Sequence, residues 1–173
     1  MPFHVHRELV FSNEFVAAAR DGRGDLVRRF LDEGIRPDTP NIAGGSALAM
    51  AAENGHYQIV ELLLTRGATP NDMAAPGVLR GQTRKSALMR AATKGHFDIL
   101  RLLIEHGALL DLQDVNGQTA LIWAAAYGQL WAAKLLIEAG AATGVVDVFG
   151  HTAQMIAKEK GYADIEALCA QPQ

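Results

Sequence analysis

Apolar positions along this chain fall into recurring pairs of runs, a short alanine-rich one followed by a longer leucine-rich one. Residues 114–142 show the pattern most plainly. Asp114-Val115-Asn116-Gly117 reads as a turn, since Asn-Gly readily adopts positive φ. Thr119 follows as an N-cap, its hydroxyl accepting from a free backbone N–H of the coming helical turn. Ala120 to Ala125 then predicts a short helix, Gly128 breaks it, and Leu130 to Glu138 predicts a second, longer one. Gly140 ends that helix as a C-cap, and Ala141-Ala142 returns the chain to the next turn.

The pattern has a period. Ala18-Ala19, Ala51-Ala52, Ala91-Ala92 and Ala124-Ala125 stand 33, 40 and 33 residues apart, and Ala157 follows 33 further on. Gly22, Gly55, Gly95, Gly128 and Gly161 keep the same step, as do Gly34, Gly67, Gly107 and Gly140. A repeat of this length marks stacked supersecondary units, none of which buries its apolar face alone. Small alanines let the two helices of a unit and the neighbouring units approach closely. Leu62-Leu63, Leu102-Leu103 and Leu135-Leu136 fill the space between helix layers, and Ser46, Ser86, Thr119 and Thr152 take equivalent capping positions. Agreement among caps, breakers and core positions argues for one shared fold.

The ends differ from the middle as a stack requires. Residues 13–40 open it with Arg20, Asp21, Arg23, Asp25, Arg28, Arg29 and Asp32 around an apolar stripe, and without a preceding turn. Units of about 41–73, 74–113 and 114–146 follow, and 147–168 closes the array with Lys158, Glu159 and Lys160 on a face that no further unit covers. Residues 1–12 are expected to be an ordered lead-in and 169–173 a tail.

Composition narrows the function classes. At 173 residues with 49% apolar and 20% charged residues, the chain can form one compact domain. A net charge of −3 leaves no footprint for nucleic acid or an anionic membrane. No apolar run approaches the roughly 20 residues of a spanning helix, and MPFHVHRELVF at the start lacks the apolar core of a secretory signal. A single cysteine, Cys169, excludes an intrachain disulfide framework and is compatible with a reducing compartment. A monomeric, cytoplasmic protein is expected.

The motifs resemble a known family. Gly-His-Tyr-Gln-Ile-Val-Glu-Leu-Leu-Leu (55–64) and Gly-His-Phe-Asp-Ile-Leu-Arg-Leu-Leu-Ile (95–104) are similar to the second helix of ankyrin repeats. Glu105-His106-Gly107-Ala108 and Glu138-Ala139-Gly140-Ala141 resemble its helix end, and Asp114 to Leu121 and Asp147 to Ala153 its turn and first helix. The resemblance covers roughly residues 13–168 and implies an all-α helix-turn-helix solenoid of five units, caps included, with projecting β-turn or hairpin loops. It also implies a protein-binding role, without naming a partner.

Two departures stand out. The family's Thr-Pro-Leu-His is replaced by Ser46-Ala47-Leu48-Ala49, Ser86-Ala87-Leu88-Met89, Thr119-Ala120-Leu121-Ile122 and Thr152-Ala153-Gln154-Met155. Stability must therefore lean more on apolar packing. The second is the interval of 40, which places seven extra residues in the stretch 69–85 and makes its end basic through Arg80, Arg84 and Lys85. That stretch reads either as a neutral insertion on a tolerant turn or as a finger that contacts a partner.

Candidate chemistry is sparse. There is no phosphate-binding loop, and Gly22-Arg23-Gly24 lacks the third glycine and the strand of a dinucleotide fingerprint. Leu112 and Trp123 stand where a calcium loop around Asp114 needs ligands. His4 and His6 alone make no metal site, Cys169 has no adjacent base, and Glu53 and Glu61 point in different helical directions. No catalytic residue, cofactor or metal is expected.

Function then rests on the surface. In such a solenoid the turns and first helices line a concave groove. The positions assigned to a partner are Arg80, Arg84, Lys85 and Lys94, a cationic centre, and Val115, Asn116, Gln118, Tyr127, Phe149 and His151, an apolar and aromatic continuation. Tyr127 and Phe149 either form one exposed patch or shield their own turns. Trp131, on a second helix, either packs on the basic insertion or marks a convex site. The expected function is a non-catalytic interaction module whose partner presents an acidic, partly apolar segment to the groove and the 69–85 loop. An inhibitor or immunity-type protein that blocks an enzyme is the alternative, and an enzyme or a nucleic-acid binder a lesser one.

Overall fold

A computed structural model describes residues 3–73 and 84–171, with the backbone alone for 3–9. Among the described residues the chain forms ten helices: α1 (Phe3–Arg20), α2 (Gly24–Asp32), α3 (Ala47–Glu53), α4 (Tyr57–Thr65), α5 (Ala87–Lys94), α6 (Phe97–Glu105), α7 (Ala120–Ala126), α8 (Leu130–Glu138), α9 (Ala153–Lys160) and α10 (Ala163–Cys169). They pair as five helix-turn-helix units. The odd-numbered helices stack on one another as an inner layer and the even-numbered ones as an outer layer. The architecture is the all-helical solenoid that the sequence period predicts.

Local chemistry explains the first helix of each internal and final unit. Ser46, Ser86, Thr119 and Thr152 sit in extended backbone before α3, α5, α7 and α9. Their hydroxyls accept from the amides of Ala49, Met89, Ile122 and Met155 at 3.2–3.3 Å. Ala51, Ala52, Ala91, Ala92, Ala124, Ala125 and Ala157 are wholly buried where the inner helices meet, and Leu63, Leu103 and Leu136 are wholly buried between the layers. Burying such a leucine contributes on the order of 2 kcal/mol before entropy is set against it.

The second helices start differently. His56, His96 and Gln129 occupy the N-cap positions of α4, α6 and α8 but make no cap bond there. Each instead reaches back to the preceding unit. His56 Nε2 donates to the Arg20 carbonyl (2.9 Å), His96 Nε2 to the Glu53 carbonyl (3.1 Å) and Gln129 Nε2 to the Thr93 carbonyl (3.3 Å). Gly55 is required for this twice over: its φ is +78°, and a Cβ there would lie 2.9 Å from His96 Cε1.

Two further sets of bonds join units. Four residues beyond each helix-ending glycine, Asp38 accepts from the Thr69 amide (2.8 Å), Asn71 from the Leu109 amide (2.7 Å) and Asp111 from the Ala142 amide (2.9 Å). At the projecting turns, Asp114 Oδ1 accepts from the amides of Asn116 and Gln118, and Asp147 Oδ1 from those of Phe149 and His151. The Val148 amide then donates to the Asn116 carbonyl (2.9 Å), tying one turn to the next. Gly117, at φ +74°, allows that approach, since a Cβ there would stand 3.1 Å from Asp147 Cα.

Both ends differ in detail from the expected boundaries. From Phe3 the segment 1–12 is part of α1, which runs without a break into the first unit. Cys169, assigned to the tail, closes α10 and is buried in the core. Arg80 and most of the 69–85 stretch fall in 74–83, outside the described residues.

Candidate functional site

Along the inner helices one position varies widely while the residue after it is always a buried alanine. It is the fourth residue: Met50 in α3, Arg90 in α5, Trp123 in α7 and Ile156 in α9. Met50, Arg90 and Trp123 are half-buried, whereas Ile156 is buried. The central two units thus place a cation and a large aromatic side by side.

Around them lies a compact cluster. Trp123 Nε1 donates to Asp114 Oδ2 (3.1 Å), which fixes the indole against its own turn. The Lys85 ammonium sits 3.1 Å from the centre of the Trp123 ring and 5.9 Å from that of Tyr127, a cation–π arrangement. Trp123 and Tyr127 are themselves ring neighbours at 5.9 Å. An Arg90 guanidinium N–H donates to Glu53 Oε2, while Arg90 Nε is buried with no partner. Burial pushes the Lys85 pKa below the ordinary lysine value, and the charge of Arg90 adds to the fall; Glu53 and Asp114 oppose it, and Lys94 reinforces it.

The assigned positions divide into two places. Lys85, Lys94 and Tyr127 belong to this cluster, with Lys94 exposed at the end of α5 and Tyr127 53% exposed. Val115, Asn116, Gln118, Phe149 and His151 lie on the turns. Val115 is 57% and Phe149 76% exposed, together with Ile42 and Val148 at the tips. Tyr127 and Phe149 have different ring neighbours, for Phe149 lies against His151 of its own turn (6.2 Å). Arg84 is half-buried at the base of the insertion, where its charge acts on Asp72. On that carboxyl, burial and the charge of Asp38 win and raise the pKa.

Trp123 and Arg90 are the residues that sequence reading did not assign to the site. Their signal is the repeat position itself, where Met, Arg, Trp and Ile succeed one another ahead of a constant alanine. Trp131, in contrast, lies on the outer layer, 66% exposed, with Lys134 Nζ 5.5 Å from its ring.

Groups that carry chemistry elsewhere are engaged in structure here. His106 Nδ1 donates to the Leu102 carbonyl (2.9 Å), and His56 and His96 join units as described. Burial raises the Cys169 thiol pKa, so the reactive thiolate is disfavoured. Among the described residues no group of three His, Cys, Asp or Glu is placed to hold a metal, and no helix is long and apolar enough to cross a membrane. An open cleft of about 420 Å³ lies between α1 and α2, where Arg29 and Glu33 pair with each other (2.8 Å).

Comparison with known proteins agrees with this geometry. Residues 13–74 and 73–147 match the family model described as ankyrin repeats in three copies. A stretch of 63 residues is 40% identical to part of the mouse leucine-rich repeat serine/threonine-protein kinase 1, covering 36% of this chain and 3% of that protein.

Proposed function

This chain belongs to the ankyrin repeat family, and from that premise we propose that it is a non-catalytic interaction module whose partner protein docks on the groove of the inner helices. Repeats of this family are protein–protein interaction modules. The observation that carries the reading is the Lys85–Trp123–Tyr127 cluster, a cation and two neighbouring aromatics at the middle of the groove, with Tyr127 53% exposed. Partly exposed aromatics held rigidly by their own scaffold are the usual energetic anchors of interfaces. Lys85, the last residue of the 69–85 stretch, lies on Trp123, which supports a part for that stretch in docking. We take the protein to act as a monomer in the cytoplasm, where a lone buried thiol such as that of Cys169 stays reduced.

The test is capture of partner proteins by the wild-type chain and by Tyr127→Ala/Phe149→Ala. Removing both anchors is expected to reduce capture at least about tenfold. Undiminished capture by the double variant would sink the groove assignment.

A further inference from the structure

We propose that the groove recognises an acidic segment of the partner protein in which a carboxylate stands beside an apolar side chain: Lys85 and Lys94 take carboxylates, and the Trp123–Tyr127 pair seats the apolar group. This rests on the groove being the docking face and specifies what it reads.

The accounting of charges carries the inference. Lys85, Arg90 and Lys94 converge on the third unit, with two acids among them, Glu53 and Asp114, while Arg84 acts on Asp72. Glu53 is bonded to Arg90. Asp114 uses Oδ1 on the amides of Asn116 and Gln118 and Oδ2 on the Trp123 indole. Lys85 and Lys94 therefore form no ion pair with any carboxylate of the described residues. Residues 74–83 contain neither Asp nor Glu, and Asp72, the acid of the 69–85 stretch, forms no ion pair with either lysine.

Lys85 gains from an incoming carboxylate. Burial and the like charge of Arg90 already disfavour its ammonium form, and its described partners are the π faces of Trp123 and, farther off, Tyr127. Its neighbour Tyr127 offers an exposed ring held against Trp123, an apolar platform beside the unmatched charge. Acid and apolar recognition thus lie within one cluster.

A nucleic acid fits less well. Phosphate backbones are tracked by runs of cations, and here Glu53 and Asp114 interrupt the run in a chain of net charge −3.

Random dodecapeptides displayed on phage and selected against the full chain test this. Affinities are read from Trp123 fluorescence in a Trp131→Phe background, since the chain has two tryptophans. Selected peptides are expected to carry Asp or Glu within two residues of Phe, Tyr, Trp or Leu. Lys85→Glu/Lys94→Glu, checked for native circular dichroism, is expected to weaken them at least about tenfold, while Lys85→Arg/Lys94→Arg keeps them within about threefold. Peptides without acid enrichment, acidic peptides indifferent to charge reversal, or tighter binding of an oligouridine would overturn the assignment. The two readings fail separately. Non-acidic peptides that are lost in Tyr127→Ala/Phe149→Ala remove the carboxylate site alone. Peptides that bind that variant fully remove the groove itself, and a selection that enriches nothing counts against both.

Discussion

Arg90 combines one satisfied donor with one orphan. Glu53 accepts from one end of its guanidinium, and the buried Nε finds no acceptor. The two side chains are 15% and 33% exposed, between a surface pair, whose contribution is about 0–1 kcal/mol, and a buried one, whose rupture costs about 3–5 kcal/mol. Glu53→Ala is expected to destabilise by about 2 kcal/mol in urea unfolding, because it leaves a mostly buried cation unpaired. Glu53→Leu/Arg90→Met, which removes both charges and keeps the volume, should return to within about 1 kcal/mol of wild type. A Glu53→Ala variant as stable as wild type would show that water already solvates Arg90. At this scale the sequence exposed the capping residues, whose bonds span three positions. It did not expose the Glu53–Arg90 pair or the seat of Lys85 on Trp123, because those partners are 37 and 38 residues apart and meet only when units stack.

Helices within a unit are specified locally, but units are joined by bonds between elements. The residues four beyond Gly34, Gly67 and Gly107 form such a series, and Asn71 uses both ends of its amide, accepting from Leu109 and donating to the Gly107 carbonyl (3.1 Å). Asn71→Ala should cost about 1–2 kcal/mol, the worth of two net hydrogen bonds. Asn71→Asp keeps the acceptor and loses the donor, so about half that loss is expected, with both variants compared by urea midpoint at constant m-value. Equal losses for the two would assign the whole effect to the Gly107 side. The glycine period was plain in the sequence, yet Asp38, Asn71 and Asp111 read as ordinary loop polars. Their bonds reach 31–38 residues along the chain and depend on the rise between stacked units.

In the whole molecule, stability is a sum of units and their interfaces, so the ends have one neighbour and the middle two. Amide hydrogen exchange should be slowest for Leu88–Ala92 and Leu121–Ala125, wholly inner and stacked on both sides, and faster in α2 and α10. Equal protection from α2 to α10 would mean that the array opens as a single unit. Periodicity sufficed for the architecture, because alanine spacing, caps and breakers act within a turn or two and every unit restates them. The binding face needed the stacked structure. Arg90 and Trp123 are set against Glu53, Lys85 and Tyr127 by the packing of α3, α5 and α7, and which acids remain free to answer a lysine is a property of that packing, not of the residues one by one.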